Sequence, residues 1–164
     1  MEIIILSDSH GLTEELKVIK ERHKDVTTFI HCGDSELDAK SSFLEGFHVV
    51  QGNCDHDETL PLELLIQLEN ERILVTHGHL NQVKQTLMLL TYKAEEVNAT
   101  ICCFGHSHLL GVEKINNILF INPGSIRLPR GRKEKTYIHL KKQAEKYLAT
   151  VYELNGNILE KHEF

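Results

Sequence analysis

Apolar residues along this chain come in short runs separated by polar clusters, and the spacing within each run predicts the element. Glu2–Leu6 reads as a first strand. Leu12–Arg22 follows with Leu12, Leu16 and Ile19 on one helical face. Thr27–Cys32 reads as a second strand, Asp38–Glu45 as a short helix, and His48–Gln51 as a third strand between Gly46 and Gly52. Leu62–Leu68 and Arg72–Thr76 flank Glu69-Asn70-Glu71, an antiparallel hairpin pattern. Val83, Leu87, Leu90, Ala94 and Val97 recur at helical spacing, predicting an amphipathic helix over Gln82–Val97. Thr100–Phe104 is another buried strand.

Beyond Phe104 the helical rhythm stops. Leu110–Ile115 and Ile118–Ile121 flank Asn116-Asn117, and Thr136–Lys142 and Leu148–Leu154 read as strands. Asn155-Gly156 is a strong hairpin signal before Ile158–His162. Helices early and strands late predict an α/β fold of two packed sheets with helices outside them. No repeat, linker or composition shift divides residues 1–164, so one domain is expected.

Composition narrows the picture. A hydrophobic fraction of 41% and a charged fraction of 26% belong to a globular domain. A formal net charge of -6 argues against broad binding to nucleic acid or anionic membrane. The apolar runs are too short to span a bilayer. The N-terminus has no basic region or cleavage site, so it reads as a strand and not a signal peptide; the expected address is the cytoplasm. Cys32, Cys54, Cys102 and Cys103 form no CxxC pair, which fits reduced thiols.

The 11 histidines are the oddity. Several belong to five polar clusters, each directly following a strand candidate: Asp8-Ser9-His10, Gly33-Asp34, Gly52-Asn53-Cys54-Asp55, His77-Gly78-His79 and Gly105-His106-Ser107-His108. Open α/β sheets bind ligands beyond the carboxyl ends of their strands, so these clusters are expected to meet at one edge. Any one of them alone is an ordinary turn. Together they offer oxygen and imidazole ligands suited to Mn²⁺, Fe, Zn²⁺ or Ni²⁺. His23, His48, His139 and His162 fall within helix or strand segments and read as surface or edge residues; His31 is expected to pack under the site.

In this order the five motifs resemble the calcineurin-like metallophosphoesterase superfamily. With the short length, Cys54 and Asn122-Pro123-Gly124-Ser125, the chain looks most like its small YfcE-like phosphodiesterase branch. The resemblance runs from Glu2 to at least Ser125. It implies a four-layer α/β/β/α sandwich of two mixed sheets and two divalent metal ions, with manganese the first expectation. Asp8, His10 and His108 would hold one ion, Asn53, His77 and His106 the other, and Asp34 both. A hydroxide between the ions would attack the phosphate ester. Asn53, Cys54 and His79 would face the reaction, with Cys54 standing where many relatives carry histidine.

Arg127, Arg130, Arg132, Lys133 and Lys135 form a local basic run that reads either as a solvated loop or as a cationic substrate rim; His56 is a further substrate-contact candidate. The expected partner is a small phosphate ester, and self-association stays open. The same fold also builds a retromer subunit, a binding scaffold that lacks the full ligand set. A phosphomonoesterase and a nuclease are the remaining alternatives within the superfamily.

Overall fold

A computed structural model describes all residues, Met1–Phe164. The first sheet contains β1 (Glu2–Leu6), β2 (Thr28–His31), β3 (Phe47–Val49), β9 (Thr136–Gln143), β10 (Lys146–Glu153) and β11 (Ile158–Glu163), in the order β11-β10-β9-β1-β2-β3. The second contains β4 (Glu63–Leu68), β5 (Glu71–Thr76), β6 (Ile101–Cys103), β7 (Leu110–Ile115) and β8 (Ile118–Pro123), in the order β4-β5-β6-β8-β7. Both are mixed. β1, β2 and β3 run parallel, as do β5, β6 and β8, and antiparallel strands flank each set. Helices α1 (Glu14–Arg22) and α2 (Met88–Glu96) lie on the outside.

Strand alternation explains the layers. Ile3, Ile5 and Ile30 of the first sheet meet Ile73, Val75, Ile101 and Ile121 of the second in the central core. Ile4, Leu6 and Phe29 point the other way, onto Leu16 and Ile19 of α1. On the second sheet Leu74, Cys102 and Phe120 point outward onto Leu90 and Ala94 of α2. The result is the α/β/β/α order expected above. The four cysteines are free, and no helix is long and apolar enough to cross a membrane.

Three expectations need correction. The helix expected over Asp38–Glu45 is a single 3-10 turn, Ser42–Leu44. Side chains take the backbone donors a helix would use: Asp57 accepts from Ala39 N (2.8 Å) and Asp38 from Lys40 N (2.8 Å). The helix expected over Gln82–Val97 begins only at Met88. Gln82 adopts φ 54°, and Val83 N bonds back to Gly78 O, so turns supply Val83 and Leu87 to the same apolar face. The helical spacing recorded burial correctly and conformation only in part. Finally, His23 and His139, expected at the surface, are 9% and 7% exposed and sit ring against ring, 5.2 Å apart.

Glu71, at the start of β5, pins the sheets together at the end opposite the polar clusters. Its buried carboxylate accepts from Lys142 Nζ (2.5 Å) and Tyr147 Oη (2.6 Å) on the other sheet, and from Thr100 Oγ1 (2.5 Å). Burial raises its pKa, but these three donors outweigh burial and hold it below the ordinary value. The stabilisation is therefore complete above the ordinary carboxyl pKa and is lost as pH falls through the depressed one. Glu71→Gln is expected to lower unfolding free energy by about 2–3 kcal/mol at pH 7, because Lys142 loses its counter-charge. Urea titrations at descending pH should show the gap to wild type closing in acid. A gap independent of pH would reject the ion-pair account.

Candidate metal centre

The five polar clusters do converge, and backbone hydrogen bonds between neighbouring loops draw them together. Asp8 N donates to Gly33 O, His10 N to Asp34 O and Gly11 N to Ser35 O (3.0, 3.0 and 2.8 Å), fastening the loop after β1 to the loop after β2. Gly105 N donates to His77 O (3.1 Å), fastening the loop after β6 to that after β5. Asp8, His10, Asp34, His106 and His108 all have positive φ, between 44° and 66°. Such conformations cost non-glycine residues roughly 1–3 kcal/mol each and persist where the surroundings over-determine them.

Close packing also dictates two glycines. A Cβ on Gly52 would stand 2.1 Å from Asp34 Oδ1, and one on Gly105 would stand 2.0 Å from Ser7 Oγ. Neither position has room for a side chain while Asp34, Ser7 and Asp8 keep their places.

Asp8 and Asp34 each have one oxygen held by a backbone N–H and the other turned inward. Asp8 Oδ2 accepts from His106 N (3.2 Å), while buried Oδ1 has no hydrogen-bond partner and lies 3.1 Å from His108 Nε2 and 4.0 Å from His77 Nε2. Asp34 Oδ1 accepts from Cys54 N (2.8 Å), and Oδ2 lies 3.3 Å from His77 Nε2. The imidazoles are oriented from behind. Nδ1 of His77 donates to Cys32 O, Nδ1 of His108 to Leu128 O (both 2.7 Å), and Nδ1 of His10 to Glu36 Oε1 (2.5 Å). With those protons placed, all three Nε2 lone pairs face inward. His10 Nε2 and His108 Nε2 are 3.4 Å apart, and Asn53 Oδ1 is 3.1 Å from His77 Nε2.

With neutral imidazoles the acceptors converge with no donor among them, an arrangement that calls for a cation, either a metal ion or a proton. The same demand shows in the protonation equilibria. Burial works against a charged His77, yet Asp34 and Asp8 hold its pKa above the ordinary value. Asp8 raises that of His108 against burial. Asp34 is held well below the usual carboxylate range: burial is the largest single influence and pushes upward, but the bond and charge of His77 and the contacts from Cys54 together outweigh it. His106, 5.1 Å ring to ring from His77, is lowered to about 4 by burial and by its charged neighbour. Asp8, His10 and His108 form one group able to hold an ion; Asp8, Asp34 and His77 form another. Oxygen and imidazole donors fit a divalent transition metal.

The chain belongs to the calcineurin-like phosphoesterase superfamily. The family's domain model matches residues 1–145. The chain is 48% identical to the probable metallophosphoesterase YsnB of Bacillus subtilis, over 98% of this chain and 95% of that one. It is 30% identical to the phosphodiesterase YfcE of Escherichia coli K12 over 54% of this chain and 48% of YfcE. The crystal structure of a predicted phosphoesterase from Streptococcus pneumoniae superimposes with a TM-score of 0.96 at 34% identity, covering 99% of this chain and 96% of the other. Vps29 of Entamoeba histolytica shares the fold alone, with a TM-score of 0.82 at 20% identity over 100% and 99% of the two chains.

The other candidate residues are placed less uniformly. His79 lies beside His77 and His106, at ring separations of 5.4 and 6.0 Å, and its Nδ1 is buried without a partner. Cys54 is half-buried and accepts from Asn53 Nδ2 (3.3 Å); burial, then Asp34, pushes its pKa up to about 11. Arg127 hydrogen-bonds His10 O, and Arg130 N donates to His108 O (3.0 Å), so both border the centre. Arg132, the third arginine of the expected rim, pairs its guanidinium with Glu160 at 2.6 Å and Glu134 at 3.6 Å. His56 is exposed, in a hollow shared with Glu36 and Asp57. His31 lies beneath the centre as expected, taking Gly33 N on Nδ1 and bonding Ser9 Oγ (2.9 Å) through Nε2.

Sequence reasoning gave no role to Glu36 or Asp55. Asp55 accepts four hydrogen bonds: Asp34 N (2.8 Å) and Gly52 N (2.7 Å) on Oδ2, Ser35 Oγ (3.1 Å) and Glu36 N (2.6 Å) on Oδ1. Its place in Gly52-Asn53-Cys54-Asp55 was the only available signal. Asp55→Asn puts an NH₂ donor against donors in either amide orientation. It is expected to cost about 2–4 kcal/mol of stability and to weaken divalent-ion uptake at least tenfold. Melting and calorimetric titration of the purified variant check this; wild-type values in both would show that Asp55 does not organise the loops.

Proposed function

We propose that this protein is a dinuclear metal-dependent phosphodiesterase acting on a small phosphate ester. The observation that carries the reading is the convergence of Asp8 Oδ1, Asp34 Oδ2 and the inward-facing Nε2 atoms of His10, His77 and His108. Asp8, His10 and His108 would hold one ion, Asn53, His77 and His106 the second, and Asp34 would serve both. Manganese is the first candidate for each. A bound pair of divalent ions supplies a nucleophile at neutral pH and offsets charge on the phosphoryl group. Asn53, exposed above His77, is set to receive the phosphate, while Arg127 and Arg130 raise the local concentration of an anionic substrate. A scaffold has no need of inward-turned carboxylates opposed by oriented imidazoles. A cytoplasmic address belongs to this reading, supported by the four free thiols.

The metal assignment is checked by elemental analysis and titration of the purified protein. Two divalent ions per chain are expected, with chelation abolishing turnover and Asp34→Asn removing both uptake and activity. At most one weak site, with Asp34→Asn fully active, would sink the assignment.

The diester assignment is checked through the leaving group. An aryl oxide departs with little help, whereas an alkoxide needs a proton, and a positioned acid contributes about 10²–10⁴-fold. Cys54 occupies the position where an imidazole would serve, and a thiol is the poorer acid. Activated aryl diesters are therefore expected to turn over well, aryl monoesters more slowly, with a steep fall as leaving-group pKa rises. Cys54→His should flatten that slope and Cys54→Ala should leave aryl diester turnover within a few fold. A shallow slope in the wild type would show that another group, His79 foremost, already acts as the acid; faster monoester turnover would overturn the diester assignment.

A further inference from the structure

The His23–His139 pair belongs to a cavity of about 560 Å³ on the outer face of the first sheet, none of whose lining residues is a candidate metal ligand. That size falls within the range of small-molecule sites. Its walls include Arg22 and His23 from the end of α1, His139 and Lys141 of β9, Tyr152 of β10 and Lys161 of β11. Register places it: Thr150 pairs with His139 on one side and Lys161 on the other, and Lys141 lies opposite Glu2, at the end of β1 away from Asp8.

Charge distinguishes this cavity. In a chain of net charge -6, no carboxylate lines it. The neighbouring acid Glu2 is engaged by Lys141 (3.1 Å) and His139 (3.0 Å), and Glu163, across from Leu148, is engaged by Lys146. The ion pairs of the structure include neither Arg22 nor Lys161, and the partners of Arg22 are a phenol and a carbonyl. Arg22 uses Nη1 on Tyr137 Oη and Leu154 O, which fixes its guanidinium in place at the cavity wall. The other half of the wall is aromatic. His23 lies 5.2 Å from both His139 and Tyr152, and Tyr152 stacks on Tyr137 at 5.4 Å and 13°. A fixed guanidinium and a free ammonium beside an aromatic wall match an anion carrying a flat ring.

We infer that this cavity is a nucleotide-binding site separate from the metal centre, taking a phosphate between Arg22 and Lys161 and a base against Tyr152, which the two buried histidines support from behind. Nothing in it depends on the metal ligands, so the test uses full-length protein stripped of metal and kept in chelator. Calorimetric titration with AMP, adenosine and inorganic phosphate is expected to show one AMP per chain, bound at least tenfold more tightly than either fragment. Lys161→Glu, an exposed change with no ion pair to break, should weaken AMP tenfold or more at unchanged melting temperature. Tyr152→Leu should reduce AMP affinity to that of phosphate, and Asp34→Asn should change nothing. Absence of AMP binding, AMP binding indifferent to Lys161→Glu, or phosphate binding as tight as AMP would each overturn the inference; loss of binding in Asp34→Asn would return the ligand to the metal centre.

Discussion

Two carboxylates, Asp8 and Asp34, are sunk to 0% and 2% exposure at the seam between the sheets, and their unbalanced charge is the constraint on everything around them. A buried anion is tolerable only with compensating charge and hydrogen bonds. Each carboxylate receives one backbone N–H from a loop of another strand, and each turns its second oxygen toward imidazoles. Removing the positive complement, whether protons on His77 and His108 or a metal, leaves like charges facing one another. The left-handed backbone at five of these residues is stable only because the loops are laced together across the strand ends.

The sandwich therefore has a polar pin at each end. At one, Glu71 reaches across from β5 to Lys142 and Tyr147, a saturated group with no acceptor left facing inward. At the other, the acceptors outnumber the donors. Both are buried ionic clusters between the same two sheets, and the difference between them is the difference between a structural contact and a site. Saturation fixes a geometry; a deliberate deficit of donors leaves room for a cation and the chemistry it brings.

Family membership and this local geometry speak to different questions. Belonging to the calcineurin-like superfamily places the chain among phosphoesterase domains, and the likeness to Vps29 shows that the same backbone is compatible with other names. What separates an enzyme from a scaffold on one fold is the site itself. Here the inward lone pairs, the histidines oriented by Cys32, Leu128 and Glu36, and the lack of room at Gly52 and Gly105 all serve one small volume.

The sequence alone determined the strands, because period-two burial and short apolar runs are written residue by residue, and it determined the candidate ligands, because they follow those strands as compact motifs. It did not determine how the segment before Met88 folds: Val83 and Leu87 are apolar for burial, and turns satisfy that need as well as a helix does. Nor did it determine that Arg132 would pair with Glu160, that Glu36 would hold His10, or that Asp55 would gather four donors. Most of those contacts join residues far apart in the chain, and none has a periodic signature. His23 and His139 looked like surface residues because each stands alone in its own element. They became a pair only when α1 packed beside β9, since burial of an isolated polar residue depends on which element covers it, and that is decided by tertiary packing.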